Sequence, residues 1–131
     1  MKIPLLERDL KNLNGEDFDP SSLVLCRDLP ALDSFAQVIG CLYVLEGATL
    51  GGQIIGRHLR QNLNLSPENG AAVFNNYGER VWQMWKAFSA MANEQAEILK
   101  AVKEIIASAV NTFTKFDTWL GARTEITKPE S

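Results

Sequence analysis

Apolar residues recur every three or four positions along most of the chain, and breaks rich in proline, glycine and asparagine cut that rhythm into four helical segments. Pro4 at a first-turn position, followed by Leu5, Leu6, Leu10 and Leu13, predicts a short amphipathic helix closed by Asn14-Gly15. Residues 15–32 hold no helical period and read as a loop leading to Asp33 or Ser34 as the N-cap of a long second helix. That helix should run to about Leu63 and stop at "NLNLSPENG". "AAVFNNYG" then crosses to a third helix with Val81, Trp82, Trp85, Phe88 and Met91 as its inner face. A fourth should run from about Glu94 to Leu120, with Ile98, Val102, Ile105, Ile106, Ala109, Phe113, Phe116 and Leu120 as its core stripe. With no strand signal and no internal repeat, the pattern predicts an all-α fold of about four main helices. It occupies a single domain over 1–121, with a polar, frayed tail over 122–131.

The second helix is also the most apolar, yet it contains Gly40, Gly47, Gly51, Gly52 and Gly56. Each interior glycine costs a helix about 1 kcal/mol relative to alanine, so these five represent roughly 4–5 kcal/mol of lost propensity. Close packing, a bend, or a ligand lying on bare backbone could offset that loss. At 100° per residue, Gly40, Gly47 and Gly51 fall within about 40° of one another, and Gly52 and Gly56 form a second smooth face. One face could receive a flat molecule and the other a neighbouring helix, with Gly51-Gly52 as the place for a kink; spacing alone favours helix packing on both faces.

Charge and composition narrow the partners. A net charge of −3 and the absence of any long Lys/Arg cluster argue against nucleic acid. Cys26 and Cys41 provide neither a disulfide framework nor metal-ligand spacing, so no metal site is expected and a reducing cytoplasm is the expected compartment. The run from Phe35 to Gly56 is long enough to span a bilayer, but Glu46 lies at its centre and the other helices need a shared core, which argues against a membrane span.

"IGCLYVLEGATLGGQIIGRHL", followed by "NNYG" and then "VWQMWKAF", resembles the haem oxygenase family, particularly the bacterial branch found with bacteriophytochromes. The resemblance covers Lys2 to about Leu120. It implies an all-α domain in which haem lies between a proximal helix, whose histidine ligates the iron, and a kinked, glycine-rich distal helix. Reductant and O₂ then convert haem to biliverdin, CO and iron. By this resemblance Gly47, Gly51 and Gly52 are the distal-helix glycines, and Ala48 stands where some members carry an aspartate that orders a proton-delivering water network, with the Thr49 hydroxyl as a substitute organiser. Tyr43 would face a propionate or the distal pocket, unless its ring packs in the core. Phe113 and Phe116 would border the haem, although a plain core stripe explains their spacing equally well. Where the family holds propionates with basic residues, the matching face shows Trp85 and Ser89, and Lys86 is offset by one position.

The family's ligand histidine lies on a helix ahead of the segment matched by "IPLLERDLKNLNG", so the sequence reads as an N-terminally short member. Its one histidine, His58, lies about 10 Å along the helix from Gly51, which makes it an edge residue unless it serves a partner chain's haem. Glu46 should sit in a structural ion pair with an arginine of a neighbouring helix rather than perform acid–base chemistry. A bundle without its first helices leaves apolar surface uncovered, which predicts a homodimer. The expected function is haem binding, and oxidative haem cleavage to biliverdin where a proximal ligand is supplied. The alternative is a non-catalytic helical interaction module, or a haem or bilin carrier, that keeps only the fold.

Overall fold

A computed structural model describes the backbone over residues 2–127 and the side chains through Ala122. It contains four helices, α1 (Ile3–Asn14), α2 (Phe35–Leu63), α3 (Val81–Leu99) and α4 (Val102–Thr127). Short 3-10 turns occur at Pro20–Ser22, Val73–Asn75 and Gly78–Arg80, and no strand is present among the described residues. The chain is all-α, as its periodicity predicts.

Local chemistry explains the helix ends. Ser34 caps α2: its Oγ accepts from the Gln37 amide at 3.2 Å, while Gln37 Oε1 accepts from the Ser34 and Asp33 amides at 3.2 and 2.7 Å, completing a capping box. α2 closes with Asn64 at φ 53° and the Leu65 amide bonded back to the Leu59 carbonyl, as asparagine in the left-handed region permits. The boundary between α3 and α4 differs from expectation. α3 runs on to Leu99, where Lys100 takes φ 50° and the Ala101 amide reaches the Ala96 carbonyl. This is the same closing motif, built on a lysine that carries no stop signal in the sequence. α4 extends to Thr127, so the first part of the segment expected as a frayed tail is helical; its last four residues lie outside the described ones.

The fold divides into two compact units. The first comprises the residues up to Val24 together with Glu46–Ser89, and the second Leu25–Leu45 together with the residues from Ala90 onward. In the first, α1 is fastened to the segment after α2. The Asp9 carboxylate, 5% exposed, accepts from the Ala72 and Val73 amides at 2.8 Å each. Arg8 donates to the Pro67 carbonyl at 2.5 Å. α2 is long and apolar enough to cross a membrane by length and composition, and its central Glu46 is ion-paired to Lys2 within this unit.

In the second unit the start of α2 packs on α4 through small residues. A Cβ on Gly40 would overlap the Ile105 carbonyl oxygen and lie 2.6 Å from Ser108 Cβ. Ser108 and Thr112 are buried; Ser108 Oγ donates to the Gln37 carbonyl at 2.6 Å, and Thr112 Oγ1 to the Ser108 carbonyl at 2.9 Å. The predicted α4 stripe is therefore only in part the buried face of this unit: Ile105 and Ala109 lie half-buried at this seam, whereas Ile98, Val102, Ile106, Phe113, Phe116 and Leu120 are exposed. At a glycine contact the helices approach too closely for large side chains, and hydroxyls that can bond to backbone carbonyls fill the seam instead. Trp82, expected inside, is 63% exposed, whereas Val81 beside it is buried.

Two substitutions test these seams. Asp9→Ala leaves two amides unpaired, and should lower the unfolding free energy by about 2–4 kcal/mol in denaturant titrations. Gly40→Ala forces α2 away from α4 and should cost about 1–3 kcal/mol in the same measurement.

Candidate functional site

The glycines of α2 separate by what lies beside them. A Cβ on Gly52 would fall 2.9 Å from the Phe74 carbonyl oxygen, and one on Gly56 would sit 3.7 Å from Phe74 Cβ. These two therefore form a packing face, and the backbone of the Val73–Asn75 turn occupies the space that a ligand would need at Gly52. Gly40, grouped by angle with Gly47 and Gly51, is taken by α4 as described above. Among the described residues, a Cβ on Gly51 would meet nothing within 4 Å, and one on Gly47 only the Trp85 ring at 3.7 Å. Through Gly51-Gly52 the helix continues unbroken, and no α2 glycine has positive φ.

The open side of α2 in the first unit is thus bare backbone at Gly51, flanked by exposed Ala48, Ile54 and Ile55 and by the edge of Trp85 near Gly47. Bare backbone bordered by apolar side chains in this way suits a flat apolar molecule. His58 is exposed further along the helix.

The remaining predicted residues belong to the second unit. Tyr43 is 47% exposed and Phe113 56% exposed. Phe116 lines an apolar pocket of about 280 Å³ together with Leu29, Cys41, Leu45 and Trp119. The Lys115–Asp28 ion pair, at 2.5 Å, also borders this pocket. The structure therefore brings Gly47, Ala48 and Gly51 together, sets Gly52 against protein, and places Tyr43, Phe113 and Phe116 in the other unit.

Glu46 has partners other than the arginine expected for it. Its Oε1 accepts from Lys2 Nζ at 3.0 Å and its Oε2 from the Tyr77 hydroxyl at 2.7 Å. Sequence reading missed Lys2, Tyr77 and Asp9 because each acts across 31 to 64 residues of chain, with no local pattern to mark it. The Thr49 hydroxyl donates to the Glu46 carbonyl at 2.5 Å, so its proton is committed inside the helix.

The hydrogen bond to Glu46, with partial burial and the Glu46 charge adding to it, holds the Tyr77 phenol above its ordinary value of 10.0. A raised folded-state value stabilises the fold fully below the unfolded value, and the contribution disappears as pH rises through the raised one. Tyr77→Phe should therefore flatten the loss of stability above about pH 10, read from denaturant midpoints at successive pH values. The glycine faces make a second contrast. Gly51→Ala should stabilise the apo chain by up to about 1 kcal/mol, whereas Gly52→Ala should destabilise it by about 1–3 kcal/mol.

Comparison with known proteins gives a consistent result. A sequence model of the family described as heme oxygenase matches residues 1–122. A curated protein described as "Heme oxygenase" from Xanthomonas campestris pv. campestris (strain 8004) is 32% identical over 124 residues, which cover 92% of this chain and 68% of the relative. No solved structure matches significantly. A match over nearly the whole chain, on a helical fold whose glycine-rich helix keeps one face open, establishes that the chain belongs to the haem oxygenase family.

Proposed function

We propose that haem is the substrate and lies on the open strip of α2, with Gly47, Ala48 and Gly51 facing it, and that the chain supports oxidative haem cleavage to biliverdin. The observation that carries this reading is Gly51. It is an interior helix glycine with nothing among the described residues within 4 Å of a Cβ, so packing between them does not account for it. Haem supplies the iron and redox chemistry once bound. The chain's own residues supply the surface: Gly51 and Gly47 admit the macrocycle to the backbone, Ala48 leaves the distal space free, and Trp85 limits one edge.

The exposed α4 residues Val102, Ile106, Val110, Phe113 and Leu120 favour a homodimer in which a second copy covers apolar surface. The free cysteines favour a reducing, cytoplasmic setting, and the acidic balance favours neither nucleic acid nor an anionic membrane as partner. A second reading, a haem or bilin carrier or interaction module without turnover, is favoured by one specific observation. Ala48 has no polar group and the Thr49 proton is already bonded, so this turn holds no free donor to organise proton delivery.

Haem titration of the purified chain should give a Soret band, which Gly51→Leu should weaken by about tenfold or more in affinity while leaving the fold intact. A reductant and O₂ should then move absorbance from haem to biliverdin. No Soret band sinks the haem reading, and a band that persists under turnover conditions selects the carrier. His58→Ala should leave the spectrum unchanged, and sedimentation equilibrium should give twice the chain mass.

A further inference from the structure

Haem contact at the glycines leaves one half-buried carboxylate without a task. Glu46 directly precedes Gly47, and its side chain is 19% exposed. Each carboxylate oxygen has one partner, Lys2 Nζ at 3.0 Å and the Tyr77 hydroxyl at 2.7 Å, and the Lys2 ammonium lies 5.3 Å from the Tyr77 ring centroid. Side chains from the N-cap of α1, from α2 and from the segment 73–80 thus close on one another, and Lys2 and Tyr77 come from 44 and 31 residues away. The backbone of Glu46 is engaged as well, since its carbonyl accepts from Thr49 Oγ1 inside the turn that carries Gly47. A bond of that kind competes with the helical ladder. Trp85 then bounds Gly47 on its own side at 3.7 Å.

Simpler roles account for less of this. A part-exposed Lys–Glu pair contributes little stability by itself. Acid–base chemistry would need a carboxylate oxygen free to meet the substrate, and both oxygens are occupied within the protein. What the arrangement does supply is rigidity at a weak point. A turn bearing Gly47 and Gly51 has little side-chain support of its own, and a backbone that must lie in contact with a ligand has to be fixed by its surroundings.

We propose that Glu46 is a positioning residue: it fastens α1 and the segment 73–80 to α2 immediately before Gly47, and so holds the Gly47–Gly51 turn at the height where haem lies on it. Its purpose rests on the haem reading, but its mechanics do not, and the test separates the two.

Amide hydrogen exchange is measured on the full chain without haem for the wild type, Glu46→Gln, Glu46→Leu and Tyr77→Phe. Glu46→Leu should speed exchange at the amides of residues 48–52 by about tenfold, and more than at Ile39–Leu42. Glu46→Gln, which can still accept from Tyr77, should recover most of the protection. Unchanged exchange in Glu46→Leu, or equal acceleration along all of α2, overturns the clamp. If Glu46→Leu does not fold, Tyr77→Phe removes only one hydroxyl and must still show about a threefold rise confined to that turn; no rise overturns the proposal.

In haem titrations Glu46→Leu should shift the Soret maximum and lower affinity by about tenfold, with Glu46→Gln intermediate. A wild-type band with an identical band and affinity in Glu46→Leu overturns the positioning role and leaves the haem reading standing. Absence of a wild-type band sinks the haem reading, and with it the clamp's purpose, while the exchange arm still decides whether the clamp exists.

Discussion

The backbone of Phe74 rests directly on Gly52, closer than any side chain at that position would allow, and much of the first unit follows from this contact. For a turn to lie so near a helix, its amides must be satisfied from elsewhere, and the buried Asp9 carboxylate takes the two at Ala72 and Val73. That requirement draws α1 against the turn, where Arg8 and Asn12 reach the carbonyls of Pro67 and Glu68. It also places Tyr77, five residues after Ala72, where it meets Glu46 on α2. A close approach at Gly52 thus organises the elements that leave the neighbouring face at Gly51 bare.

The glycine cost can now be divided by position. Gly40 is accounted for by α4 and Gly52 by the Phe74 backbone, each contact being impossible with a Cβ present; Gly56 is in ordinary contact with the Phe74 side chain. Packing against burial of this kind offsets a helix penalty of about 1 kcal/mol per residue. Gly47 is in ordinary contact with Trp85 and would tolerate more. Gly51 gains nothing from the protein around it, so its share of the penalty is compensated only if something outside the described residues lies there.

The helices themselves were legible because their signals are local. The Ser34 capping box, the Asn14-Gly15 stop and the Asn64 closure each act within a few residues, and periodicity located α1 and α2 to within a residue or two. The α3–α4 turn was missed because Lys100 adopts a conformation that sequence associates with glycine or asparagine. The buried face of α4 was missed in part, for a different reason: periodicity ranks positions by apolarity, whereas Gly40 selects partners by size, which favours Ser108 and Thr112 over Ile106 and Phe113. Of the candidate site, the glycine positions and their division into two faces could be read from helical angle, apart from Gly40. The clamp around Glu46 could not, because its three members are far apart in the chain.

Binding and turnover make different demands on the same turn of α2. Binding needs bare backbone, which Gly51 provides, and a turn held in place, which Glu46 can provide from the far side of the helix. Turnover needs in addition a donor aimed at the reacting face. On this turn the two candidates are Ala48, which has no polar atom, and Thr49, whose proton is bonded to the Glu46 carbonyl. The bond that commits Thr49 is also one of the three hydrogen bonds by which Glu46 is engaged next to Gly47. A hydroxyl used to shape the helix is withdrawn from proton delivery, so on the proposed reading the bond that shapes this turn competes with the chemistry that would consume haem. On the proposed haem reading, any proton path must therefore run through groups outside this turn.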